Sequence, residues 1–464
     1  MSDREGRTRI ALTSINPFNE TVIKRYEEAS AQEVDDTISR TRERWRSWRR
    51  TSFAERAQLI GATAKTLRRR EAELAALMTR EMGKTLTSAK AEVQKCAWVC
   101  DYYAEHAERL LEPQSVATDA TRSYVTFAPI GVVLAVMPWN FPLWQVFRFV
   151  APALMAGNAA LLKHASNVQG CALAIEDALR ESGAPADLFR TLLVSGSRVP
   201  DLIADPRIAA VTLTGSIDAG RSVGAAAGHA IKKSVLELGG SDAYLVLEDA
   251  DLELAAKTCV TSRMINGGQS CIAAKRFIVV EPVADEFQER VIAEMKTYQM
   301  ADPLEETATL GPMARVDLRD ELHDQVERAV AAGAQLLLGG GIPDGRGAFY
   351  PPTVLSNVSI ENPAFREEIF GPAAAIIRAR DEAGAIELAN DSAFGLGAAV
   401  FTCNVARGER IAATELEAGH CAVNSFVKSD PRLPFGGVKT SGYGRELSWY
   451  GIKEFTNIKT VYVG

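Results

Sequence analysis

The stretch Gly-Val-Val-Leu-Ala-Val-Met-Pro-Trp-Asn-Phe-Pro at residues 131–142 decides how the rest of the chain is read. Its first half is a short β-branched apolar run, which suits a strand buried on both faces. Its second half is a loop stiffened by Pro138 and Pro142 on either side of Asn140. Residues 143–156 then read as a helix and 159–163 as a second apolar strand. Strand, loop, helix and strand in that order make the βαβ unit of a parallel sheet.

The pattern continues outward. Residues 191–194 and 209–213 read as strands, with helices over 169–182 and 199–204 between them. After Glu237 the alternation starts again: strands over 244–247, 277–280 and 335–338, helices over 252–265, 283–298 and 318–332. The expectation is an α/β chain with two Rossmann-type domains. Towards the N-terminus, residues 27–111 have helical spacing, with Leu67, Leu74, Leu77 and Met78 able to share one helix face and Arg68, Arg69 and Arg70 on a solvated one. Residues 121–128 and 456–463 are strands that fit neither domain and are expected to pair across subunits.

Composition narrows the function. The chain has 464 residues, 47% hydrophobic and 24% charged, enough for large cores. A net charge of -7 argues against nucleic acid or a membrane surface as a partner. The longest apolar stretch, 130–162, is broken by Pro138, Pro142, Pro152, Asn140, Asn158 and Arg148, so it is not a membrane span. The first residues carry mixed charge with no apolar run behind them, and a cytoplasmic protein is expected. The seven cysteines form no CxxC, and the five histidines form no metal-binding pair, so free thiols and no metal are expected.

Three residues stand out for chemistry. Cys271 ends Asn266-Gly267-Gly268-Gln269-Ser270-Cys271, where two glycines let the backbone approach a ligand. It is either a reachable nucleophile or a packed thiol. Glu237 lies at the end of an apolar run before Gly239 and Gly240. Burial there raises a carboxyl pKa towards the range of a general base, unless the group pairs with Lys232 or Lys233. Asn140, clamped between prolines at a strand's end, suits an oxyanion donor or is an ordinary turn residue. Gly83-Lys84-Thr85 mimics the end of a phosphate loop, but Met78 stands where its first glycine should be. Neither GxSxG nor GxGxxG occurs.

Taken in order, PWNFP at 138–142, LTGS at 213–216, LELGG at 236–240, NGGQSC at 266–271, EEIFGP at 367–372 and PFGGVKTSGYGRE at 434–446 make the chain resemble the aldehyde dehydrogenase superfamily over nearly its whole length. MPWNFPLWQVFRF, LLKHASN and KSDPRLPFGG resemble its bacterial succinate-semialdehyde dehydrogenase branch. The resemblance implies a cofactor domain (1–117 and 134–239), a catalytic domain (240–439) and a bridging β-element for oligomerisation (118–133 and 440–464), in a homodimer or homotetramer. It also implies that Cys271 forms a thioester, that Asn140 steadies the oxyanion and that Glu237 activates water. The expected substrate is succinate semialdehyde or a similar carboxylated aldehyde. The alternatives are a broad-specificity aliphatic aldehyde dehydrogenase, a coenzyme A-acylating relative, a cysteine hydrolase and a non-catalytic homologue.

By the same resemblance, the dinucleotide meets Val136, Met137, Pro138, Trp139, Lys163, Ala165, Ser166, Thr214, Gly215, Ser216, Leu238, Glu368 and Phe370. Lys163 is implied at the adenosine ribose or its phosphate, Thr214 to Ser216 near the pyrophosphate, and Glu368 and Phe370 at the nicotinamide end. Ser166 stands where NAD-strict relatives often carry an acid, so NADP is expected to be used well, with NAD as the other cofactor. For the substrate, Trp144 and Arg148 are four apart, hence on one helix face behind the Asn140 loop. Arg148 among aromatics suits a carboxylate, or else it is a structural residue paired at a domain interface. Ser429 is a second candidate carboxylate ligand.

Overall fold

A computed structural model describes residues 11–464. The opening stretch forms the strand Val132–Met137, every position of which is buried. It lies inside a six-stranded sheet of order Gly442–Tyr443, Lys233–Glu237, Ile208–Thr214, Val132–Met137, Ala159–His164, Phe189–Thr191. All neighbours are parallel except the first pair. The chain builds outward from Val132–Met137 to Phe189–Thr191, then returns to its other side as Ile208–Thr214. Strand order therefore reverses between those two strands, which opens a crevice at their C-terminal ends. Pro138-Trp139 and Gly215-Ser216 sit at that mouth.

A seven-stranded sheet follows, in the order Gln335–Leu338, Thr353–Ser356, Ala373–Ala379, Ala274–Val280, Asp242–Val246, Gly397–Phe401, His420–Val423. It is parallel except for the pairing of its first two strands. Thr456–Val463 pairs antiparallel along the whole of Arg122–Pro129, with Gln114–Ser115 on the far side. These two strands pair with each other within the chain. Thr456–Val463 remains at the edge, with Ile458, Tyr462 and Val463 exposed.

The structure corrects the sequence reading in three places. The strand expected at 191–194 is Phe189–Thr191, because parallel pairing with Ala160 to Leu162 sets it, and an apolar run alone does not fix register. Gly442–Tyr443, expected in the bridging element, adds an edge to the six-stranded sheet; a side chain at Gly442 would meet Leu236 O at 2.0 Å. Leu67 does not share a helix with Leu74, Leu77 and Met78. Phe53–Arg69 and Glu71–Met82 are separate helices, because the backbone leaves helical geometry at Arg70 (φ -93°, ψ 11°). Arg68, Arg69 and Arg70 meet Asp101, Glu181 and Glu73, as suits a solvated face.

The N-terminal helices also position the site. Leu86–Leu110 carries Glu92, whose Oε1 accepts the N–H groups of Leu143 and Trp144 at 2.9 Å each. A carboxylate there favours the positive end of the helix Trp144–Met155. The other Glu92 oxygen pairs with the buried Lys84, whose ammonium also lies 4.3 Å from the Phe141 ring centre. Lys84 is thus a strut under the Asn140 loop and not a phosphate ligand. No helix among the described residues is long and apolar enough to cross a membrane.

Candidate active site

Cys271 follows a backbone turn that few sequences can make. After the helix Leu252–Met264, Asn266, Gly267 and Gly268 take φ values of 56°, 62° and 77°. These left-handed conformations favour glycine, and asparagine tolerates them. A side chain on Gly268 would lie 2.0 Å from Gly371 O, so the Cys271 turn is pressed against the segment carrying Glu368 and Phe370. Asn266 Nδ2 donates to Asn140 O at 2.8 Å and to Gln269 O at 3.1 Å, and Asn140 Nδ2 donates to Gln269 O at 3.1 Å. Asn140 is thereby tied to the turn that leads into Cys271. An amide nitrogen has two N–H groups, so Asn140 retains donor capacity beyond Gln269.

Two cavities meet at Cys271. One, of about 260 Å³, is lined by Pro138, Trp139, Asn140, Thr214, Gly215, Ser216, Leu238, Gly239, Cys271, Leu318, Glu368 and Phe370. The other, of about 230 Å³, takes its walls from Glu92, Lys95, Phe141, Trp144, Gln145, Arg148, Phe426, Ser429 and Phe435, among others, and again Cys271. Cys271 is the one residue common to both linings.

The first cavity lies in the strand-order crevice. Ser216 caps the helix Ile217–His229, so positive N–H groups at the helix start face the region where a pyrophosphate would lie. Glu368 Oε1 accepts Gly240 N–H at 3.0 Å, and a side chain on Gly239 would be 2.3 Å from its other oxygen. Phe370 meets Trp139 edge-on, with ring centres 5.8 Å apart. Lys163, opposite Val136 in the parallel pair, is half-buried and, among the described residues, has no hydrogen-bond or ion-pair partner. A helix start and an unpaired cation at one sheet edge fit a dinucleotide. Val136, Met137, Lys163, Ala165 and Ser166 do not line the cavity; the first three lie on the strands beside it, and Ala165 and Ser166 directly follow the strand Ala159–His164.

Charge is concentrated around the sulfur. Burial pushes the Cys271 thiol up to about 12; Lys275 and Arg148 oppose this, and Glu368 and Glu237 add to it. Lys275 donates to the carbonyls of Ser270 and Cys271 and lies 3.3 Å from Glu368. Burial raises the Glu237 carboxyl well above the usual range; the Glu446 carboxylate raises it further, while Arg148 and Arg445 pull it down. Glu237 pairs with neither nearby lysine: Lys233 meets Glu454, and Lys232 binds the carbonyls of Ile203 and Asp205. Neither Glu237 oxygen has a hydrogen-bond partner among the described residues. Its carboxyl lies off both cavities, against Gly436, where a Cβ would come within 2.7 Å of Oε1.

Trp144, Arg148 and Ser429 all line the second cavity. The Arg148 guanidinium is nevertheless engaged. It pairs with the buried Glu446, donates to Thr214 Oγ1 at 3.2 Å and lies 4.8 Å from the Phe435 ring centre. This pairing is the structural reading weighed for Arg148. Burial holds His164 down to about 4, and its ring nitrogen meets Pro142 O at 2.8 Å, so no imidazole serves Cys271 from there. Sequence reading assigned no role to Lys275, Glu446 or Lys95. Glu446 stands inside a quoted block, while Lys95 is one of two lysines on the helix Leu86–Leu110 and carries no motif.

Comparison with known proteins adds four observations. The sequence model of the aldehyde dehydrogenase family matches residues 4–461. The chain is 49% identical over 449 residues, 97% of each chain, to the NAD(P)+ succinate semialdehyde dehydrogenase Sad of Escherichia coli (strain K12). It is 50% identical over 457 residues, 98% of this chain and 97% of the other, to an NADP+ succinate-semialdehyde dehydrogenase of Mycobacterium avium (strain 104). Among solved structures, a succinic semialdehyde dehydrogenase of Streptococcus pyogenes in complex with NADP+ superposes with a TM-score of 0.95 at 38% identity, covering 97% of this chain and 99% of that one.

Proposed function

Because the chain belongs to the aldehyde dehydrogenase family, we propose that it oxidises succinate semialdehyde to succinate, with reduction of NADP or NAD, through a thioester on Cys271. The observation that carries this reading is the single thiol shared by two cavities. One cavity sits at a dinucleotide-type crevice, and the other is walled by aromatic and basic side chains.

Cys271 adds to the aldehyde carbon, and the oxyanion so formed is met by the Asn140 amide and the Cys271 backbone N–H. NADP or NAD, when bound, supplies a positive nicotinamide ring that favours the thiolate and takes up the hydride. Thr214, Gly215 and Ser216 would hold the pyrophosphate, Glu368 and Phe370 the nicotinamide end, and Lys163 with Ser166 the adenosine ribose. With the hydride gone, the carbon remains on Cys271 as a thioester, which water hydrolyses. Glu237 takes the proton of that water. Its carboxyl has no hydrogen-bond partner among the described residues to give up.

Ser166 is exposed and neutral, and Lys163 is unpaired, so a 2′-phosphate on the ribose is accepted and NADP serves at least as well as NAD. Steady-state rates with a panel of aldehydes, run with NADP and NAD in parallel, test both statements. A preference for neutral aldehydes sinks the substrate; a preference for NAD of about a hundredfold sinks the cofactor reading. Acid formation without coenzyme A separates hydrolysis from acyl transfer. The protein works in the cytoplasm as a homodimer or homotetramer joined along the exposed Thr456–Val463 edge. A gel-filtration mass equal to one chain counts against that assembly.

A further inference from the structure

The cavity that carries Trp144 and Ser429 is lined by the cations Lys95, Arg148 and Lys428. They are not equivalent. Arg148 is paired with the buried Glu446. Lys428 is exposed, 5.9 Å from the Phe426 ring centre. Lys95 is half-buried and has no carboxylate within ion-pair distance among the described residues. Its nearest acids are committed elsewhere, Glu92 to Lys84 and to the start of the helix Trp144–Met155, and Asp430 to Arg432. The Lys95 ammonium donates to Ser429 Oγ at 2.7 Å and lies 4.4 Å from the Trp144 ring centre. Ser429 is itself buried. An ammonium has three N–H groups, and one goes to Ser429.

A cation without a counter-ion in an aromatic-walled cavity is costly, and an incoming anion relieves that cost. We infer that Lys95, with Ser429 beside it, binds the carboxylate of the substrate, so that Arg148 is a paired wall residue and Lys95 sets the preference for a carboxylated aldehyde. The inference rests on the proposed substrate class. Burial lowers the Lys95 ammonium to about 8, and Arg148 adds to the lowering, as suits a cation that lacks its partner until the ligand arrives. Nothing in the local sequence marks this residue; Lys95 and Ser429 are 334 positions apart.

The test is the ratio of kcat/KM for succinate semialdehyde to that for butanal, which carries a methyl group in place of the carboxylate. A ratio near one in the unaltered protein sinks the substrate reading itself. Given a high starting ratio, Lys95→Met lowers it by about tenfold or more, mainly through KM, as expected for a lost hydrogen bond to a charged group. Lys95→Arg retains more of the ratio than Lys95→Met. A smaller fall in Lys95→Met overturns the role of Lys95 and leaves the substrate reading intact. Should the variant fail to fold, the unaltered protein gives the answer. Lys95 is charged below about pH 8 and neutral above it, facing Glu92 and Cys96 on its own helix, Arg148, Lys428 and Asp430. The ratio then falls as pH rises through about 8; a ratio that stays flat overturns the proposal.

Discussion

The two cavities that meet at Cys271 are built by different means. The cavity proposed for the dinucleotide forms where strands end and a helix begins, beyond Val132–Met137 and Ile208–Thr214 and at the start of the helix Ile217–His229, with Gly239 against Glu368. The cavity proposed for the aldehyde draws its walls from the helices Leu86–Leu110 and Trp144–Met155 and the segment 426–435, which are far apart in the chain. Backbone architecture demands particular residues at neighbouring positions, whereas a wall of side chains can be assembled from anywhere in the chain. In the first cavity Gly239 tolerates little variation, because a side chain there would press on Glu368, and the second is where a preference among aldehydes can be set.

Four substitutions probe that division. Cys271→Ala removes the one group both sides share, and aldehyde oxidation should fall by roughly 10⁴ or more whichever aldehyde and cofactor are used. A residual rate near the parent value would mean that the chemistry happens elsewhere. Glu237→Gln should slow the steady state by roughly 10²–10⁴, while a rapid burst of NADPH, near one per active site, survives because thioester formation precedes water attack. Loss of the burst along with turnover would place Glu237 earlier in the reaction. Ser166→Asp should lower kcat/KM with NADP relative to NAD by about tenfold or more, through repulsion of the 2′-phosphate. It should leave the ratio between aldehydes unchanged; movement of both ratios would show that the two cavities are not independent.

The smallest change concerns pH. Glu237 acts as a base only when deprotonated, and its raised pKa sets the acid limb of the hydrolytic rate above the ordinary carboxylate range. Glu446→Gln removes a like charge and leaves Arg148 unopposed, and both effects lower the Glu237 pKa. The acid limb of kcat should therefore move to lower pH. A profile that does not move, or moves upward, would show that Glu446 acts on another group.

The same division governs what the sequence could tell. The strand Val132–Met137, the turn at Asn266 to Gly268 and the crevice residues Thr214, Gly215 and Ser216 are contiguous, and each has a local physical cause. The membership of Trp144 in the second cavity followed from helical spacing behind the Asn140 loop. The partner of Arg148 did not, because Glu446 is distant in the chain and only folding puts the two together. Nor was Lys95 legible: its meaning depends on which acids are already paired, a property of the folded molecule. The strand at Phe189–Thr191 was displaced for a similar reason, since its neighbour fixes register.

The single residue shared by the two linings also bears on inactivation. A reagent that alkylates Cys271 sets its new group against both cavities with one bond.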